Sequence, residues 1–411
     1  MMCPKARLLR SFAFLLALLL AGAPAWAVVV PDPAAGDIGA ADIGAANIGS
    51  DVDVDLPAST APAAAWEAAL LRQLEEADAR TDGELGVSVL DLASGRTLSY
   101  RGEERWYLAS GIKVPVAIAV LRAVEAGELS LATTLRLQAD DYVDGAGPTK
   151  RQPPGAALRV DWLLEQMLVH SDNTASDVLI RQVGIDRVNA VADELMSGRC
   201  GPITSLADVR RHAYSALHAG AFALTAADLL ALKQAPFGRA RYEALARILG
   251  VAPADLLLGD IGSAFDRYYA SSLNAAPLDE YARLLAAIAE GRALGPGMTG
   301  YLLEVLGRVE TGRKRIRAGL PAGVHFAHKT GTQLRRQCDF GIVSAGEGAA
   351  RRQLAVAACT RGARSMARGE AALRAVGAAL ATSGALAPLP PPQVHASAAA
   401  RAGAAGATAP R

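Results

Sequence analysis

Val324-His325-Phe326-Ala327-His328-Lys329-Thr330-Gly331-Thr332 has the extended, half-apolar pattern of a β-strand and carries the triplet Lys329-Thr330-Gly331 near its end. Working outward, Asp339 to Ser344 and Gln353 to Thr360 read as two further strands, the gap between them closed by the turn Gly346-Glu347-Gly348. Upstream, Leu85 to Leu92 and Arg96 to Tyr100 read as a strand pair joined at Ala93-Ser94-Gly95. Helical periodicity marks Trp66 to Ala77 before that pair and Arg368 to Leu380 after the last strand. The order is helix, two strands, a long helical block, three strands and a helix. It predicts an α+β fold: one antiparallel five-stranded sheet covered by helices, with the block at about residues 110–310 forming an enlarged all-helical lobe. A cleft between the lobes is where a ligand is expected.

Two other short motifs precede the Lys329 triplet in the chain: Ser110-Gly111-Ile112-Lys113 and Ser171-Asp172-Asn173, with 61 positions between their serines. A Ser-x-x-Lys pair alone carries little information, recurring by chance roughly once or twice in such a length, whereas each of the other two triplets is expected roughly once per several thousand positions. The chain holds only six lysines against 36 arginines, and two of the six, Lys113 and Lys329, fall inside the motifs. Pro115 suits a first helical turn, so Ser110 is expected at the N-terminal edge of a helix running through Leu121. Ser and Lys at i and i+3 share a helical face about 5–6 Å apart, which lets Lys113 reach the Ser110 hydroxyl. A serine is a weak nucleophile until a base takes its proton, and a lysine serves only if burial or neighbouring positive charge lowers its pKa. Lys329 is a source of that charge, and the free amides at the helix start favour an oxyanion.

The three motifs resemble those of the class A β-lactamases and, more distantly, of the penicillin-binding proteins. The likeness extends to His170-Ser171-Asp172-Asn173-Thr174-Ala175 with the apolar Val178-Leu179-Ile180, and to Arg317-Ala318-Gly319-Leu320-Pro321-Ala322-Gly323 ahead of Lys329; it covers residues ~66 to ~383. It implies that Ser110 is acylated by a β-lactam or a peptide, with Lys113, Ser171 and Lys329 as its catalytic partners. Ser171 would relay a proton to the leaving nitrogen, and Asn173 would hold the substrate amide. The backbone N–H groups of Ser110 and Thr332 would form the oxyanion hole. Thr330, Gly331 and Thr332 would make up the rest of the substrate-binding set, the two hydroxyls taking a carboxylate. Asp172 would be structural. No cofactor or metal is implied. His325 and His328, three apart on a strand, point to opposite faces and do not suggest a shared metal.

One stretch departs from the family. Class A β-lactamases carry a Glu after the Ser-Asp-Asn helix, with an Asn four residues on, to activate the deacylating water. The matching stretch here is Ile203-Thr204-Ser205-Leu206-Ala207-Asp208-Val209-Arg210, with Arg210 about where the Glu belongs and no Asn. Losing a general base costs about 10²- to 10⁴-fold, so acylation is expected to survive while deacylation slows. Asp208 is either a substitute base or a first-turn acid paired with Arg211 or Arg210. Extra helical material over about residues 201–273, as Leu206 to Leu217, Ala226 to Gln234 and Arg239 to Leu249, enlarges this lobe. Two classes of function follow: a β-lactamase-type serine hydrolase, with a D,D-peptidase-like or other acyl hydrolase as its neighbour, or a non-catalytic module that binds β-lactams or peptidoglycan.

The 411 residues, 51% hydrophobic with net charge +1, show no basic excess that would point to nucleic acid. The expected partner is a small β-lactam or peptidoglycan-peptide-like molecule, and the protein is expected to be a monomer. Lys5, Arg7 and Arg10, the apolar run Ser11 to Gly22 and then Ala25-Trp26-Ala27 form a secretory signal over residues 1–27, which implies a periplasmic or secreted protein with no stable membrane span after cleavage. Residues 28–65 hold six Asp and no Lys or Arg, with the near-repeat Asp37-Ile38-Gly39, Asp42-Ile43-Gly44, Asn47-Ile48-Gly49, and read as a disordered acidic linker. The Ala- and Pro-rich residues 384–411 read as a disordered tail. Without Cys3, the remaining Cys200, Cys338 and Cys359 are an odd set. Cys338 and Cys359 are either a cross-strand disulfide or two small core residues.

Overall fold

The strands foreseen around Lys329 pair antiparallel and in sequence order, in a computed structural model that describes residues 65–389. The five strands are β1 (Glu84–Asp91), β2 (Thr97–Tyr100), β3 (His325–Gln333), β4 (Arg336–Ala345) and β5 (Arg352–Arg361), arranged β2-β1-β5-β4-β3. Each is built on the apolar run that announced it. The ladder carries β4 back to Arg336 and forward to Ala345, past the Asp339–Ser344 expected from composition. Backbone pairing extends a strand through polar residues that periodicity would leave out.

One face of the sheet buries Val87, Val89 and Val356 against Leu70 and Leu74 of α1 (Ala65–Ala79) and Leu373 and Leu380 of the C-terminal helix Met366–Thr382. The opposite face meets the helical lobe, whose centre is the apolar helix α2 (Lys113–Glu125), buried along nearly its whole length. Strand β3 is an edge, bonded only to β4. The 3₁₀ turn Ala109–Ile112 leading into α2 packs beside it. That approach requires Gly331: a Cβ there would lie 2.4 Å from the Leu108 carbonyl oxygen.

In the helical lobe, α3 (Asn173–Val183) begins at the second motif, and the enlarged part holds α4 (Leu206–Ser215), α5 (Ala226–Gln234), α6 (Arg239–Leu249) and α7 (Ile261–Tyr269). Helix α7 was not foreseen, although Ile261, Ala264, Phe265 and Tyr268 recur at helical spacing and are all buried. Its start, Asp260-Ile261-Gly262-Ser263, has the composition of a turn because Asp260 is an N-cap whose carboxylate accepts from Ser263 N–H at 3.0 Å.

Cys338 and Cys359 face each other across β4 and β5 and are joined as a disulfide, leaving Cys200 free. The expected signal peptide 1–27, the expected linker up to residue 64 and the expected tail from residue 390 lie outside the described residues. The beginning of the expected tail is ordered packing instead: Ala385 is fully buried under the sheet and Leu389 N–H donates to the Ala350 carbonyl at 3.1 Å. Among the described residues no helix is long and apolar enough to cross a membrane.

Candidate active site

The turn that presents Ser110 is unusual in its backbone, because Ala109 takes φ +49°, a left-handed conformation that costs a residue with a Cβ of order 1–3 kcal/mol. Ser171 does the same at φ +57°, reversing the chain between the helix Val160–Val169 and α3. Asp172 then caps α3: one carboxylate oxygen accepts from Ala175 N–H at 2.9 Å and the other from Thr149 N–H at 2.7 Å. These two bonds hold Asp172 in place and with it the neighbours on either side.

Those neighbours surround Lys113, which opens α2 and is fully buried. Its ammonium donates to the Ser171 carbonyl at 2.7 Å and to Asn173 Oδ1 at 2.8 Å, and lies 3.3 Å from Ser171 Oγ. Asn173 Nδ2 donates to the Asp144 carbonyl at 2.7 Å, so both ends of that amide are held. Lys329, also fully buried, donates to Ser171 Oγ at 3.0 Å and to the Thr330 carbonyl at 3.0 Å. Burial brings Lys113 down to about 7, only partly opposed by the carboxylates of Asp172 and Asp177. Lys329 is held well below the usual lysine value, first by burial and then by the charges of Lys113 and Arg315.

At the other end of the site the buried Arg315 guanidinium, 3.4 Å from the Glu370 carboxylate, is tied to β3 and β4. Arg315 donates to the carbonyls of Gly331 and Cys338, each at 2.8 Å, and to Thr332 Oγ1 at 2.7 Å. The hydroxyls of Thr311 and Thr330 lie 2.6 Å apart. Sequence reasoning missed Arg315, which sits in the basic run Arg313-Lys314-Arg315 with no signal to single it out; packing buries its side chain to 4% exposure while Arg313 and Lys314 stay outside.

Ser110, Ser171, Asn173, Thr330 and Thr332 line one cleft of about 190 Å³. Gly331 is set back from it, giving the room for Leu108 described above. Another wall comes from α4 through Leu206, Val209 and Arg210, and among the described residues no carboxylate lines the cleft. Arg210 donates instead to Asp144 at 2.8 Å. Asp208 is outside this cleft: it accepts from Arg211 at 2.7 Å and faces a separate hollow beside Asp177 and Arg181. His328 is buried against Asp339 at 2.7 Å, while His325 is exposed at the start of β3.

A sequence model described as the β-lactamase enzyme family matches residues 69–383. Among solved structures, a β-lactamase from Sphaerobacter thermophilus is 24% identical with a TM-score of 0.56, covering 79% of this chain and 98% of its own. An ancestral class A β-lactamase is 25% identical with a TM-score of 0.55, covering 76% of this chain and 98% of its own. A variant of PBP-A, captured as an acyl-enzyme complex with penicillin G, is 21% identical with a TM-score of 0.54, covering 76% of this chain and 94% of its own.

Proposed function

The chain belongs to the β-lactamase enzyme family, and we propose that it is a secreted serine hydrolase that β-lactams acylate on Ser110 and that releases the opened product slowly. The observation that carries this is the Ser171 hydroxyl, held between the buried ammonium groups of Lys113 and Lys329 at the edge of the cleft that Ser110 lines.

In its neutral form Lys113 takes the proton of Ser110, and Oγ attacks the lactam carbonyl carbon. The oxyanion forms against the N–H groups of Ser110 and Thr332. As the C–N bond breaks, Ser171 passes its proton to the leaving nitrogen and is reprotonated from a lysine. Thr330 and Thr332, the latter held by Arg315, bind the substrate carboxylate with the charge of Lys329 behind them. Hydrolysis of the resulting ester requires a base to activate water. The wall from which the family's Glu would act presents Arg210, whose charge is committed to Asp144. An acyl enzyme that persists is the consequence, and it places the protein between a β-lactamase and a D,D-peptidase-like acyl enzyme. Lys5, Arg7, Arg10 and the apolar run before Ala27 support export, with Val28 as the first residue of the mature protein.

A mass-spectrometric time course with benzylpenicillin tests the reading. The expected result is one adduct, mapped to Ser110, that forms fast and decays slowly. No adduct, or an adduct on another serine, defeats it. N-terminal sequencing of the exported protein decides the processing site, and a retained Met1 overturns secretion.

A further inference from the structure

Beside the Ser110 cleft lies a second hollow of about 150 Å³ that shares Arg210 and Gln333 with it. Arg210 and Gln333 are walls of both, so a group reaching from one hollow to the other passes these two side chains. The outer wall is made by the segment that enlarges the helical lobe: Lys233 near the end of α5, Phe237 in the following turn, Arg241 on α6 and Phe265 on α7.

The charge in this hollow does not balance. Its one carboxylate, Asp144, is taken by Arg210 at 2.8 Å. Arg241 is buried and spends its guanidinium on the Ala235 carbonyl at 2.8 Å, which fixes the turn carrying Phe237. The Lys233 ammonium has no carboxylate partner among the described residues, and it is held below the usual lysine value by partial burial and then by the charges of Arg241, Arg210 and nearby Lys150, with Asp144 opposing. Like charges gathered in a recess with apolar walls repel one another and focus a positive potential on it. An anion entering the recess relieves that repulsion.

We infer that this hollow is a subsite for a second carboxylate of the substrate, carried on a side chain that extends past Arg210, and that the inserted helices exist to select such doubly anionic substrates. The volume is that of a cavity able to hold a benzene ring (about 150 Å³), so an aryl or short alkyl group bearing a carboxylate fits between Phe237 and Phe265. Lys233, exposed and without a carboxylate partner among the described residues, meets the carboxylate, and Arg241 supplies a fixed charge behind it. The inference rests on the acyl-enzyme reading for its substrate class, but its geometry stands independently of turnover.

The test compares benzylpenicillin with carbenicillin, which adds one carboxylate to the side chain. Acylation efficiency is expected to favour carbenicillin, and Lys233→Ala is expected to lower the carbenicillin-to-benzylpenicillin ratio about 5-fold, with Lys233→Glu lowering it further, as for a partly screened charge pair. Raising salt from about 0.05 to about 0.5 M is expected to erode the ratio in the parent protein. A ratio unchanged in both variants overturns the subsite. Calorimetric binding of both penicillins to Ser110→Ala, with and without Lys233→Ala, separates the two claims: equal affinities there overturn the subsite whatever the acylation result, whereas failure of either penicillin to acylate the parent defeats only the acyl-enzyme reading.

Discussion

Lys113 and Lys329 converge on one oxygen: the Ser171 hydroxyl lies 3.3 Å from the first ammonium and 3.0 Å from the second. Both side chains are fully buried, so two full charges at that spacing would be costly, and the pair sheds a proton more readily than a solvated lysine does. A basic nitrogen next to Ser171 is thus a result of packing.

Acylation should follow the ionisation of Lys113. A base works only when neutral, and a lysine is protonated below its pKa. The acylation rate constant is therefore expected to fall on the acid side, rise through a midpoint about 7 and level off above it. Lys113→Ala should slow acylation about 10²- to 10⁴-fold and abolish that limb. Stopped-flow acylation across pH checks both, and a limb that persists in Lys113→Ala would assign the proton to another group.

Lys329→Ala removes a positive charge from beside both Ser171 and the substrate carboxylate. Binding of carboxylate-bearing substrates should weaken more than binding of neutral esters. Equal losses for both substrate types, measured by kcat/KM, would confine Lys329 to the ionisation of its neighbour.

Penicillin turnover should show a burst equal to one Ser110 per chain and then a slow steady rate. Asp208→Asn should leave the adduct lifetime unchanged, since Asp208 is turned to Arg211 outside the cleft. Fast turnover that survives in Asp208→Asn would show that a base elsewhere compensates. Arg210→Ala should cost about 3–5 kcal/mol in urea unfolding, because it strands the buried Asp144 carboxylate.

The disulfide between Cys338 and Cys359 closes a separation of 21 residues at the strand pair behind Lys329. Reduction should lower stability by about 3 kcal/mol. A thermal melt with and without reductant checks this, and an unchanged midpoint would mean that the β4–β5 ladder alone holds the hairpin.

Much of this protein could be read along the chain, because the relevant physics is local. Apolar alternation located all five strands to within a few residues, and the start of α2 followed from Pro115 and the Ser110-to-Lys113 spacing. The ends of β4 and the whole of α7 escaped the sequence reading because a backbone ladder and a carboxylate cap can order residues whose composition says turn. The register that sets Cys338 opposite Cys359 was open in the sequence, where pairing and simple burial were equally consistent with the spacing.

The sequence by itself determined the family and the α+β order and singled out Ser110, Lys113, Ser171 and Lys329 as candidates, since each rests on residue type and short spacing. Only the tertiary structure decided what those groups can do. The 158 residues between Ser171 and Lys329 carry no local signal that the two meet at 3.0 Å. The same holds for Arg315, buried out of a basic run, and for Arg210, whose charge is turned to Asp144 while Asp208 is left outside the cleft. Burial, side-chain direction and the charges that set a pKa are sums over neighbours from distant parts of the chain, and those neighbours exist only once the sheet and the helical lobe have packed.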